Sequence, residues 1–138
     1  MAATKLQLNW TSVSWNSTTI TNVTHVAFSK GGEVQSFAGD TSVYPTVIAN
    51  TMNRPRCTIT SGDIAALMGF SAGTAATLNA THNDALKATG GAIVYVLSNA
   101  VLVNVDANGP FSQFGNATAT FQAYSTDGTT NPLAFTRT

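Results

Sequence analysis

The 138-residue chain is sized for one domain, and only 9% of its residues are Asp, Glu, Lys or Arg, balancing to a net charge of +0 against about 25% charged residues in ordinary globular chains. With Arg54 and Arg56 as its densest basic cluster, it lacks the cationic surface that sequence-specific nucleic-acid binding requires. A lone cysteine, Cys57, excludes an internal disulfide and a cysteine-ligated zinc or iron–sulfur centre.

Solubility falls to Thr, Ser and Asn, which read almost continuously along the chain. Neutral surfaces tend to associate, so this composition points to a surface that meets other protein; simple solvation of the polar residues is the alternative. The first residues alternate polar and apolar and form no apolar h-region, which predicts no signal peptide. No run approaches the roughly 18 apolar residues that a bilayer crossing needs. The expectation is a protein made in a cytoplasm that stays soluble until it assembles.

In chain order, Leu6, Leu8 and Trp10 alternate with Lys5, Gln7 and Asn9, the mark of a half-buried strand. A second strand is predicted over Thr21 to Ser29, where the facing of Val23, Val26, Ala27 and Phe28 is irregular. Gly31-Gly32 reads as a turn, with Glu33 to Phe37 as the hairpin partner of that strand. Gly39 to Pro55 reads as a long loop. It contains Pro45 and Pro55, and with Val43, Tyr44, Val47, Ile48 and Met52 it is too apolar for a solvated connection. It is read as an arm that packs on a neighbouring subunit through Asp40, Val43, Tyr44, Pro45, Val47, Ile48 and Met52. The alternative is an internal hairpin folded on its own core.

Arg56 to Thr60 alternates through Cys57 and Ile59. A short helix is predicted over Gly62 to Met68, with Ser61 to cap, Asp63 at the positive end and Gly69 to stop it. Ala76, Leu78, Ala80 and His82 share a face of the next strand, and Asn83 to Gly91 is a turn-rich connection. Ala92 to Leu97 and Ala100 to Val105 read as two continuous apolar runs with Ser98-Asn99 between them, followed by a turn at Asp106 to Pro110. Ala117, Ala119, Phe121 and Ala123 line one face of a further strand, Asp127-Gly128 turns the chain, and a short tail ends at Leu133 to Phe135. The fold class is all-β: one domain over residues 1–138, a sandwich or partial barrel of about seven or eight strands with one short helix.

Chemistry is sparse. His25 and His82 have no second ligand at metal spacing, so no metal site is expected. Glu33, Asp40, Asp63, Asp84, Asp106 and Asp127 are scattered, mostly beside turn formers. No nucleophile elbow or phosphate-binding glycine loop appears. Cys57, between Arg56 and Thr58 on a predicted strand, reads as a buried small hydrophobe. The expectation is a non-enzyme without cofactors. Asn-x-Ser/Thr triplets at Asn9, Asn16, Asn22, Asn79 and Asn116 read as chance in so Asn- and Thr-rich a chain. Trp10, Trp15, Tyr44, Tyr95 and Tyr124 leave a carbohydrate-binding sandwich as an alternative function.

Several segments, in order, carry a resemblance: Gly39-Asp40 to Tyr44-Pro45; Thr58 to Gly69; Gly73 to Asp84; Ile93 to Val105, taken as paired strands with Ser98-Asn99 between them; and Phe114 to Gly128. Together they resemble the tail-tube (major tail) proteins of bacteriophages and related particles, in order and spacing, over roughly two-thirds of the chain. The resemblance implies a β-sandwich flanked by a helix, hexameric rings stacked into a tube, and a long loop reaching the adjacent ring. DNA would pass down the lumen without sequence-specific binding. The implied partners are copies of the chain, a tape-measure protein, a tail terminator, baseplate or tip proteins, and a sheath in contractile tails. The implied location is the virion tail, assembled in the host bacterial cytoplasm, with no membrane partner. Ring closure would also join the sheet edges that a β-rich monomer must protect. The chain departs from the pattern in its poverty of acid, since such lumens are expected to be acidic; Asp40, Asp84 and Asp106 are the lumen-facing candidates. A head-decoration or head–tail joining protein would share this composition and differ in symmetry.

Overall fold

A computed structural model describes residues 10–41, 43–83, 91–109 and 115–137. The predicted strand through Leu6 and Leu8, the connection around Asp84, and Pro110 lie outside the described residues, although Trp10 does begin a strand. The elements are β1 (Trp10–Trp15), β2 (Thr18–Thr19), β3 (Val23–Ser29), β4 (Gly32–Phe37), β5 (Val47–Asn53), β6 (Arg56–Ser61), α1 (Ile64–Met68), β7 (Ala75–Asn83), β8 (Ala92–Asn108), β9 (Asn116–Ala123) and β10 (Leu133–Arg137). Eight strands form one antiparallel sheet in the order β2-β1-β7-β8-β9-β6-β3, with β10 on β8; β4 and β5 pair separately.

The strand β8 turns this sheet into a sandwich. Its first part pairs with β7 on one edge and β10 on the other, and its second part pairs with β9. Across Ala76 to Leu78 of β7, β8 runs from Ala100 back to Leu97, so it carries an extra residue at Ser98-Asn99. Asn99 takes that position with φ 53°, a left-handed conformation that Asn tolerates better than most residues. The bulge bends the strand from one layer into the other. Ser98-Asn99 is therefore a kink within one 17-residue strand and not the reversal between two paired strands that the resemblance implies. The predicted turn does not begin at Asp106, because β8 continues to Asn108.

The core lies between the layers. Val13, Trp15, Leu78, Ala80 and Leu97 come from one; Val26, Cys57, Ile59, Ala117, Ala119 and Phe121 come from the other. These are the inward positions of period-two strands, as read for β6, β7 and β9. The irregular facing of β3 has a local cause: a bulge between Val23 and His25 shifts the phase, so that Val23, Val26 and Phe28 all pack toward the core. Trp15 is central. Its ring meets Phe70 at 4.8 Å and Phe121 at 5.2 Å, and its Nε1 donates to the Ala100 carbonyl at 3.1 Å, tying β1 to the kink in β8.

The helix is shorter than predicted, starting at Ile64, and its cap is Asp63, whose carboxylate accepts from the Ala66 amide. Ser61 ends β6 instead. Buried there, its hydroxyl donates to the Thr21 carbonyl and accepts from the Asp63 amide at 2.9 Å. The Thr21 hydroxyl donates to Asp63 at 2.8 Å and leads the interactions that lower the Asp63 pKa. Five residues cannot hold a helix by propensity alone; fully buried Leu67 anchors it against β8 and β9.

Candidate assembly interface

The expected hairpin between β3 and β4 does not form. β3 pairs with β6, and the chain runs on through Lys30-Gly31 into β4, while β5 runs on through Arg54-Pro55 into β6. One long two-stranded ribbon results, with its root in the sandwich and its far half outside it. Gly31 makes the junction possible: at φ 61° a Cβ there would lie 1.9 Å from the Arg54 carbonyl oxygen. The Gly31 carbonyl accepts from the Arg54 amide at 2.9 Å, and Arg54 pairs with Glu33 at 2.7 Å just beyond. Both side chains of that pair are nearly half exposed, so it orients the root and contributes at most about 1 kcal/mol. At the tip, the Phe37 carbonyl accepts from both the amide and the hydroxyl of Thr46.

Part of the segment read as a loop, Gly39–Pro55, is thus strand β5, and the segment forms the tip and one side of a hairpin arm. Every residue of β4 and β5 is exposed, which rules out a hairpin folded on its own core. Seven large apolar side chains stand out from this arm. Val43, at 88% exposure, and Tyr44, at 81%, lie at the tip; Val34, Phe37, Val47, Ile48 and Met52 lie along the strands. The structure brings the predicted Val43, Tyr44, Pro45, Val47, Ile48 and Met52 onto one projection, with Asp40 exposed at its tip. Val34 and Phe37 belong with them and were missed, because their strand was assigned to the body of the domain.

Of the lumen-facing candidates, Asp84 lies outside the described residues, and Asp40 and Asp106 do not come together. Asp106 lies on the outer face of the second layer, level with Thr118, Thr60 and His25 across three strands. That is the end of the ribbon away from the arm, whereas Asp40 is at the opposite tip. This outer face is paved with Thr58, Thr60, Thr118, Thr120, Asn104 and Gln122 and has Arg56 at its arm-side margin; the Thr60 and Thr118 hydroxyls meet at 3.2 Å.

A second feature was legible in the sequence only as the Asp127-Gly128 turn. The loop after β9 is organised by Asp127, which accepts from the Thr130 hydroxyl at 2.6 Å, the Thr130 and Thr129 amides at 2.8 and 2.9 Å, and the Ser125 hydroxyl at 2.7 Å. These bonds, the Thr130 hydroxyl first, hold its carboxyl far below the usual carboxylate range. Between this loop and the root of the arm runs a groove of about 500 Å³ lined by uncharged residues, among them Asn50, Asn53, Tyr124 and Asn131. Because the fold favours the ionised carboxylate, its ordering of the loop is complete above the unfolded value near pH 4 and is lost as pH falls through the depressed folded value. Protection of the Thr129 and Thr130 amides from exchange, taken relative to the intrinsic rate at each pH, is accordingly expected to hold at pH 6 and to be lost in strong acid. Asp127→Ala should accelerate their exchange at pH 6 by an order of magnitude or more; unchanged exchange in that variant would remove Asp127 as the organiser.

The aromatics weighed for carbohydrate stacking are dispersed. Trp15 is buried, and Trp10 and Tyr95 join Phe28 in a cluster where Phe28 and Tyr95 stack at 4.7 Å. Tyr44 and Tyr124 stand apart on the arm tip and beside the groove. His82 packs its edge on Trp10, His25 is exposed on β3, and Cys57 is fully buried, its thiol pushed far up by desolvation. Among the described residues, no three of His, Cys, Asp or Glu gather as metal ligands would.

No family model matches the chain, and no curated protein does. Among solved structures, it is similar to a chain in the cryo-EM structure of the anti-feeding prophage (AFP) baseplate, 6-fold symmetrised. The TM-score is 0.56 at 9% sequence identity, over 99% of this chain and 97% of that one. The two share an all-β fold along nearly their whole lengths.

Proposed function

We propose that the chain is a structural subunit of a phage-like tail, assembling with copies of itself into stacked hexameric rings that form the tail tube, a conduit for DNA. The observation that carries this reading is the arm: seven exposed apolar side chains on a ribbon that projects from a complete core. A two-stranded ribbon is marginal alone in water, and exposed apolar surface on this scale marks a contact site. The fold likeness adds support, because the similar chain belongs to an assembly treated with six-fold symmetry. Rings would form by joining sheet edges, and the arm would reach the next ring.

The threonine-paved face bearing Asp106 is the candidate lumen lining. Its neutral hydroxyls offer phosphates little grip, as a conduit for DNA requires. In this reading the chain catalyses nothing and needs no cofactor. Its other partners are a tape-measure protein, a tail terminator, baseplate or tip proteins and, in a contractile tail, a sheath. It resides in the virion tail after assembly in the host cytoplasm.

A second reading is favoured by one observation, that the similar structure is a baseplate: the chain would form a single ring at the baseplate end of a tail. Negative-stain microscopy of the purified protein across concentration separates the two. Hollow tubes of indefinite length are the expected result, isolated rings would favour the baseplate position, and a strict monomer at every concentration would sink both.

A further inference from the structure

We infer that the arm is clamped between two other copies of the chain, one on each of its faces, and is not laid against a single surface; this rests on the self-assembly reading above. Directly paired residues of an antiparallel ribbon share a face, so the register sorts the arm's side chains. Phe37 pairs with Val47, Gln35 with Ala49 and Glu33 with Met52, which places Phe37, Val47 and Met52 on one face. Ser36 pairs with Ile48 and Val34 with Asn50, which places Ile48 and Val34 on the other. The bulge between Glu33 and Val34 inserts Thr51 as an extra residue on β5, so the alternation of β5 changes phase there and Met52 joins the face of Phe37 and Val47.

A ribbon docked on one side would alternate apolar and polar residues. This one presents large apolar groups, each half exposed or more, on both sides. Area leads to the same conclusion. A ribbon of this length measures roughly 23 Å by 10 Å per face, well short of the roughly 800 Å² per partner that a stable contact covers. A single face is too small to hold the arm in place on its own, and covering the second face and the tip more than doubles the area that the arm buries. Copies of this chain are the fitting occupants on electrostatic grounds. The arm's Glu33 is neutralised within the arm by Arg54, which leaves both faces without net charge, and the chain as a whole is equally neutral. A strongly acidic or basic partner would find no net charge on either face to pair with, and only Asp40 at the tip.

The test uses single thiols on opposite faces, Ala49→Cys beside Phe37 and Ser36→Cys beside Ile48, at positions that are both exposed. Native Cys57 is fully buried and its thiol is held protonated, so it stays silent. With a bulky maleimide, both sites should react freely in dissociated protein. In assemblies both should react more slowly by at least an order of magnitude. In assemblies mixed from ¹⁴N- and ¹⁵N-labelled protein, a short crosslinker should join the two sites to different surfaces, always between copies. Protection of one site only would overturn the clamp while leaving self-assembly standing, and so would links confined within one copy. Absence of any assembly in the same micrographs would instead overturn the self-assembly reading, and the clamp with it.

Discussion

Replacing residues 33–52 by a two-residue Asn-Gly turn is expected to leave a folded domain that no longer stacks. The excision removes no side chain of the buried core, because every residue of β4 and β5 is exposed. It also shortens the β3–β6 connection, which lowers the entropy of closing that hairpin. The new turn falls where Gly31 and Arg54 already exchange a backbone hydrogen bond, and Asn-Gly suits a tight reversal there. Circular dichroism should stay that of a β-protein, and the melting temperature should move by no more than a few degrees. Sedimentation and microscopy should show assembly lost. Tubes of normal length from the armless chain would refute the arm as the stacking element. Should the excision disturb folding, Val43→Ser with Tyr44→Ser provides a milder route to the same comparison, since these side chains touch solvent in the monomer.

Why the arm was partly legible, and the path into it was not, follows from the range of the interactions involved. Val43, Tyr44, Val47, Ile48 and Met52 stood out because apolar side chains among prolines and asparagines violate the rule for solvated loops. Phe37 and Val34 did not, because alternation in β4 fits an ordinary strand of the body equally well. Gly31-Gly32 carries the local signature of a tight turn, yet its left-handed glycine serves a close backbone crossing with Arg54, a contact twenty-three residues away in sequence. Ser98-Asn99 misled in the same manner: a left-handed Asn suits both a hairpin and a bulge, and only the pairing of β7, β9 and β10 along β8 selects the bulge.

Facing, by contrast, was legible wherever burial is one-sided. Cys57 and Ile59, Leu78 and Ala80, and Ala117, Ala119 and Phe121 all point inward as their period of two requires. The Asp127 loop had a local signal, an Asp followed by Gly and two Thr residues, but four hydrogen bonds converging on one carboxylate are a property of the folded loop.

The kink in β8 creates a dependence on Trp15 that leads to the largest expected effect on stability. The indole is 1% exposed, fills the space between Phe70 and Phe121, and donates to the Ala100 carbonyl immediately after the left-handed Asn99. Trp15→Ala would leave a large cavity and remove the indole's hydrogen bond to the Ala100 carbonyl, and truncations of this kind cost about 3–5 kcal/mol. Against a total stability of about 5–15 kcal/mol for a domain, that is between about a fifth and the whole of the margin. Trp15→Phe separates the two contributions. It keeps most of the apolar volume and forfeits the hydrogen bond, so about 1–3 kcal/mol should be lost. Urea unfolding followed by circular dichroism measures both, and in either variant the remaining fluorescence comes from Trp10, against which His82 packs. The expected order is wild type, then Trp15→Phe, then Trp15→Ala. A loss below about 1 kcal/mol in Trp15→Ala would mean that the site collapses around the gap and that the bend in β8 is held by its strand pairing alone.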